Sequence, residues 1–234
     1  MLESRRYDEI AGNMIFDATT HSKTESPLRI ATQELAVSDP TLGVIIRRIG
    51  PCRHGMARRN RYFASLVEAI IHQQLGGKAA GAILTRFRSL YPSRRFPTPE
   101  EILGTPESQL RGSGLSPQKI TYVKDLASRM LDGSIRLRGL SSMKDEEVIS
   151  HLTQVKGIGR WTAEMFLIFT LGRPDVLPLN DLGILKAVRK AYGLGRMPSA
   201  QTLERMGRKW QPYRSVAAWY LWASVDESNA AQSQ

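Results

Sequence analysis

The chain of 234 residues is 41% hydrophobic and 24% charged, ordinary proportions for a globular protein with one large domain or two smaller ones. Its 33 Lys and Arg against 22 Asp and Glu leave +11, which points to a polyanionic partner; no long basic amphipathic segment argues for a membrane surface instead. A single cysteine, Cys52, excludes an internal disulfide, a cysteine-ligated iron–sulfur cluster and a multi-cysteine zinc site.

In chain order, residues 1–26 are polar and mixed in charge and read as an N-terminal arm. They lack the apolar centre of a leader peptide, and no run approaches the roughly 18 apolar residues of a spanning helix. An intracellular protein is therefore expected. From residue 28 on, apolar positions recur at helical spacing over 28–37, 40–49, 61–75, 78–91, 116–131 and 144–153, then over 159–171, 181–192, 200–208 and 213–225. Four starts have a capping residue followed by proline: Asp39-Pro40, Thr98-Pro99, Thr105-Pro106 and Ser116-Pro117. Thr98 and Glu101 also have the spacing of a capping box. No strand alternation is visible, so the spacing predicts an all-α fold of about ten helices. WTAEMFLIFTLG (161–172) and the run from Val216 to Val225 are apolar nearly all round, which places them at the centre of the helical packing. The histidines at 21, 54, 72 and 151 lack the spacing of a metal pair. Arginines cluster at Arg47-Arg48, Arg58-Arg59-Arg61, Arg86/Arg88 and Arg94-Arg95; they read mostly as solvated faces that together make nucleic-acid binding salt-sensitive.

VKGIGRWTAE (155–164) lies between two predicted helices. Gly157 and Gly159 permit positive φ and close backbone approach, and their amides open a helix whose N-terminus favours an anion. The natural anion for so basic a chain is a nucleic-acid phosphate, and backbone contact to phosphate carries no base sequence. Taken alone, the two glycines suit a plain helix–helix turn better.

The longer pattern is more specific. VKGIGRWTA, the Asp in VLPLNDLGI (176–184), FASLVEAIIHQQLGGKAA (63–80) and KWQPYRSVAAWYLWA (209–223) together resemble the helix-hairpin-helix (HhH-GPD) DNA glycosylase superfamily. Within it the chain is most similar to the 3-methyladenine DNA glycosylase II family, and the resemblance spans about residues 28–225. It implies a two-lobed helical fold lacking the extra N-terminal β domain of some members. One lobe is discontinuous, 27–65 plus 176–234; the other, 66–175, carries the hairpin at about 144–171. The DNA cleft lies between the lobes in that fold.

The resemblance also implies a set of site residues. Asp181, 20 residues after Trp161, takes the place of the essential carboxylate; as an N-cap it would also serve helix 181–192. An ionised carboxylate there stabilises positive charge on the deoxyribose and can orient or deprotonate water. Trp161 occupies the position where lyase relatives carry a nucleophilic Lys, so hydrolysis remains and strand cleavage through an amine does not. Trp161, Trp222 and Met165 are the base-pocket residues, the indoles suited to a cationic methylated purine. Met165 departs from the Tyr found in some relatives. Gln74 matches the wedge that enters the duplex, Gly157 and Gly159 the phosphate site. The backbone carbonyls of Thr153, Val155 and Ile158 match a site for a monovalent cation, Na+ or K+. No cofactor is required and no iron–sulfur cluster is expected. The implied partner is double-stranded DNA containing damaged bases, with no membrane, and the protein is expected to be a DNA-associated monomer: in the cytoplasm or nucleoid of a bacterium, or the nucleus of a eukaryote. Two alternatives stay open, a non-catalytic hairpin module that binds DNA and a glycosylase for another lesion.

Overall fold

A computed structural model describes residues 27–52, 61–93 and 96–231, the side chains of 226–231 excepted. The N-terminal arm, His21, His54, Arg58, Arg59, Arg94 and Arg95 lie outside the described residues. Among those described, twelve α-helices and no strand are present, in order α1 (Pro27–Ser38), α2 (Pro40–Ile49), α3 (Tyr62–His72), α4 (Gly77–Ser89), α5 (Pro99–Gly104), α6 (Glu107–Gly112), α7 (Pro117–Leu131), α8 (Asp145–Leu152), α9 (Arg160–Phe166), α10 (Leu182–Ala191), α11 (Ala200–Gly207) and α12 (Arg214–Ala231). A π-helical turn, Leu167–Leu171, prolongs α9, so the apolar run read as one helix changes its winding midway.

The helix starts follow from their caps. Asp39 Oδ1 accepts the amides of Thr41 and Leu42 at 3.1 and 3.2 Å, and Ser116 Oγ accepts that of Lys119 at 3.3 Å. Thr98 and Glu101 exchange reciprocal bonds of 3.3 and 2.8 Å, a complete capping box. Thr105 differs from the expectation. It does not cap α6, whose N-cap residue is Pro106. Its hydroxyl donates back to Glu101 O at 2.6 Å and meets the Tyr91 hydroxyl at 2.8 Å, because Thr105 is buried and these are the polar groups in reach.

The chain divides into two compact units. One comprises the described residues up to Cys52 and those from Gly172 onward; the other lies within Ala57–Leu171. α3 thus belongs whole to the second unit, as a continuous hydrogen-bonded helix dictates, whereas a boundary at 65/66 would cut through it.

In the first unit α12 is central. It packs against α10 and α2, and its Val216, Ala217, Ala218, Leu221 and Trp222 are buried. The unit also buries a carboxylate. Asp39, 0% exposed, accepts at Oδ2 from Trp210 Nε1 at 2.7 Å, from Lys209 Nζ at 3.0 Å and from the Tyr192 hydroxyl. Burial alone would raise the Asp39 carboxyl, but the bonds from Tyr192, Trp210, Lys209 and the Leu42 amide outweigh it and hold the group below its ordinary value. Burial and the neighbouring carboxylate together push the Tyr192 phenol well up.

In the second unit α7 packs on α3, α5 and α6, and α9 packs on α8 and α3. Phe87 meets Tyr91 edge-on and Phe96 at a tilt, with ring centroids 5.5 and 6.0 Å apart. Several arginines expected to face solvent also have internal partners while staying partly exposed. Glu68 receives Arg88 at 2.6 Å and Arg61 at 3.3 Å, and Arg86 Nε donates to Ser113 O at 3.0 Å.

Candidate active site

Asp181 is the N-cap of α10. Its φ of −74° and ψ of 117° are those of a capping residue, and its Oδ1 accepts the Ile184 amide at 2.8 Å. The same oxygen accepts Trp222 Nε1 at 2.9 Å. The side chain is 2% exposed. A carboxylate buried this deeply needs donors and a favourable field, and the helix N-terminus and the indole supply both. The geometry of Asp181 is that of a helix cap with a second donor on the same oxygen.

The loop that delivers Asp181 is tied to the start of α12. Arg214 grips Asp175 with Nε to Oδ1 at 2.7 Å and a second guanidinium nitrogen to Oδ2 at 3.0 Å. Ser215 Oγ donates to Arg173 O at 2.7 Å and accepts the Val176 amide at 3.0 Å, while its own amide donates to Pro174 O at 3.0 Å. Gly207 leaves room for the same loop: a Cβ there would lie 2.4 Å from Leu177 Cδ2. Helix α12 thus fixes Asp181 twice, through Arg214 and Ser215 on the approach and through Trp222 at the carboxylate. Sequence reasoning gave Arg214 and Ser215 no part. The available signal was the run QPYRS leading into an apolar helix, which says nothing of the distant Asp175.

Trp222 is 2% exposed, and its indole edge points to Asp181. Trp222 is expected as an aromatic wall of the base pocket; here its indole N–H is given to the Asp181 carboxylate. Leu182, the residue after Asp181, is 41% exposed on the first turn of α10.

The remaining candidates lie in the second unit. The hairpin runs from α8 through residues 153–159 into α9. Gly157 has φ +81°, and a Cβ there would fall 2.1 Å from Tyr122 Cδ2, so both conformation and space require glycine. Gly159 differs. Its φ of −87° is open to any residue, and a Cβ on it would meet nothing within 4 Å. The folded protein itself does not require glycine at 159. The turn is braced from outside: Asp125 Oδ2 accepts the Lys156 amide at 2.9 Å and Arg129 Nε at 2.8 Å, and Gln73 Nε2 donates to Gly157 O at 2.8 Å.

Arg160, at the first position of α9, is held by Glu146 through both sides of its guanidinium and by Glu164 at 3.1 Å. The hydrogen bonds to Glu146 raise the Arg160 value further and hold the Glu146 carboxyl below the usual range. Trp161 is half-buried on the first turn of α9, and Met165, one turn on, is buried. Gln74 is exposed just past the end of α3, in left-handed backbone at φ +58°. In the turn expected to hold a monovalent cation, the Val155 carbonyl accepts the Ile158 amide at 3.1 Å, and Thr153 caps the C-terminus of α8. The structure thus brings Asp181 and Trp222 together in one unit, and the hairpin, Trp161, Met165 and Gln74 into the other.

A helical chain with a glycine hairpin and a carboxylate at a following helix N-terminus matches one family model, HhH-GPD superfamily base excision DNA repair protein, over residues 67–212. The chain belongs to that superfamily. Among its relatives, DNA-3-methyladenine glycosylase 1 of Schizosaccharomyces pombe is 36% identical over 212 residues, covering 89% of this chain and 92% of that protein. The solved structure of the S. pombe 3-methyladenine DNA glycosylase in complex with abasic DNA superposes with a TM-score of 0.73 at 37% identity, covering 82% of this chain and 95% of the other. The crystal structure of a DNA-3-methyladenine glycosidase from Bacillus halodurans gives 0.75 at 32% identity, covering 91% and 95%.

Proposed function

We infer that this protein is a monofunctional DNA glycosylase of base excision repair. It hydrolyses the N-glycosidic bond of alkylated bases, 3-methyladenine and related methylated purines, flipped out of duplex DNA. The observation that carries this reading is Asp181: a buried carboxylate, held by the Ile184 amide and the Trp222 indole, in a chain 36% identical to a 3-methyladenine glycosylase.

The chemistry follows from charge. An alkylated purine in the glycosidic linkage is cationic, and the bond breaks with its electron pair leaving on the base, which becomes neutral. Positive charge then resides on the deoxyribose, and the ionised Asp181 stabilises it. Water adds at the anomeric carbon and loses a proton, with Asp181 as its acceptor or orienter, leaving a free base and an abasic site. The leaving group is already activated, so no cofactor takes part. Trp161 stands where an amine nucleophile would otherwise begin strand cleavage; its indole offers a face to a cationic base, worth about 0.5–2 kcal/mol. Met165 lies one helical turn further along the same pocket wall.

The hairpin is the phosphate contact in this reading, and Gly159 supports it. A glycine that the folded protein does not need leaves its backbone open to close approach by a ligand. A monovalent cation would be held by the carbonyls of Thr153, Val155 and Ile158, since neutral oxygens at a helix C-terminus suit Na+ or K+. Such an ion would supply positive charge at the turn. Gln74 is the wedge. Among the described residues no helix is long and apolar enough to cross a membrane. The protein acts as a monomer wherever the genome lies.

The test is incubation with duplexes carrying one alkylated base each. Release of the free base with strand breaks only after alkali is the expected result. Breaks without alkali would mean a lyase and overturn the role given to Trp161, and tight binding with no abasic product would mean a binding module.

A further inference from the structure

We infer that Gln73 is a positioning residue that couples the hairpin to the wedge, so that a phosphate seated at the hairpin sets where Gln74 projects. This rests on the reading of Gln74 as the wedge and of the hairpin as the phosphate site.

The backbone at Gln74 is unusual. It is the one described non-glycine residue with positive φ, at 58°. Side chains other than glycine, asparagine and aspartate rarely occupy that region, and they persist there only where the surroundings hold them. The hold here is specific. Gln73 turns the chain out of α3 with φ −54° and ψ 134° and sends its side chain to the hairpin. Its Nε2 donates to Gly157 O at 2.8 Å and lies 3.5 Å from Thr162 Oγ1 on α9. Gln74, the adjacent residue, is thereby left exposed.

One face of α7 supports both turns. Lys119 Nζ donates to Ile71 O at 2.7 Å, at the C-terminal end of α3. Tyr122 lies against Gly157, and Asp125 accepts the Lys156 amide at 2.9 Å. These residues are spaced i, i+3 and i+6, so one stripe of the helix spans from the wedge turn to the hairpin turn. Gln73 closes the circuit directly between the two. A shift of the Gly157 peptide on phosphate docking is transmitted through one hydrogen bond to the residue next to the wedge.

A residue that merely filled space would affect folding alone; a coupler affects extrusion of a paired base. The test compares wild type, Gln73→Met and Gln74→Ala on one methylated purine in two settings. In a fully paired duplex the extruded base leaves an orphaned partner to plug, and in a one-nucleotide bulge it leaves none. Single-turnover base release and the fluorescence of a 2-aminopurine beside the lesion are the readouts. The expected result is that Gln73→Met loses about tenfold on the paired duplex, the factor one hydrogen bond represents, in step with Gln74→Ala. Gln73→Met should lose much less on the bulge than on the paired duplex. Gln73→Glu, which keeps size and polarity but lacks the N–H, repeats the measurement if Gln73→Met fails to fold. Equal loss by the Gln73 variants on both substrates, or no loss on either while Gln74→Ala is selectively impaired, overturns the coupling. An unimpaired Gln74→Ala overturns both the coupling and the wedge reading beneath it.

Discussion

Replacing Trp222 by Phe isolates one bond at the centre of the proposed chemistry. Phe retains an apolar ring on α12 and removes the N–H that Trp222 donates to Asp181 Oδ1 at 2.9 Å. The Ile184 amide remains at 2.8 Å, so the carboxylate keeps its cap but loses the donor that fixes its second direction. A hydrogen bond to a charged group is worth about 1.5–3 kcal/mol, which corresponds to about 10- to 150-fold in rate if the bond matters chiefly in the transition state. The smaller ring in a site 2% exposed also leaves a void, costing about 1–3 kcal/mol of stability and lowering Tm by several degrees. Single-turnover base release, measured well below the melting range and alongside binding to an abasic duplex, separates the two effects. The expected outcome is unchanged binding with base release reduced within that range. A double-mutant cycle with Asp181→Asn sharpens it: once the carboxylate is gone, Trp222→Phe should cost no further activity. Wild-type turnover in a folded Trp222→Phe protein, or full additivity with Asp181→Asn, would refute the claim that the indole orients the carboxylate.

Asp181→Asn alone should retain duplex affinity and lose most turnover, in a binding assay paired with base release; equal turnover would remove Asp181 from the mechanism. The two hairpin glycines should separate cleanly. Gly157→Ala, with left-handed backbone and a Cβ 2.1 Å from the Tyr122 ring, should lower stability by about 2 kcal/mol or more in a thermal melt, whereas Gly159→Ala should melt like wild type and bind DNA more weakly. At Asp39 the folded carboxyl is held below its ordinary value by the bonds from Tyr192, Trp210, Lys209 and the Leu42 amide, which outweigh its burial. A depressed value means that its contribution is fully present above the unfolded value and is lost as pH falls through the folded one. Denaturant melts from pH 6 down to 3 should therefore show wild-type stability falling more steeply than that of Asp39→Asn. At neutral pH, Asp39→Ala should cost at least about 2 kcal/mol by stranding the Trp210 and Tyr192 donors.

Much of this protein is local and therefore legible in its residues. Asp39, Thr98 and Ser116 announce helix starts because a cap satisfies amides two or three positions away. Gly157 announces its turn because positive φ is a property of the residue. Asp181 is a good cap wherever the rest of the chain goes. The long apolar runs of α9 and α12 announce burial by composition. Tertiary structure decided what depends on partners far along the chain. Thr105 has the local pattern of a cap, yet the Tyr91 hydroxyl and the Glu101 carbonyl take its hydroxyl. Asp39 reads as a cap alone, until Tyr192 and Trp210, 153 and 171 positions away, make it a buried polar hub. Trp222 lies 41 positions from the carboxylate it meets, and nothing in its neighbours reveals which way the indole N–H points. A hydrogen bond is directional and short, so periodicity assigns a side chain to the core, and only packing selects the atom it meets there.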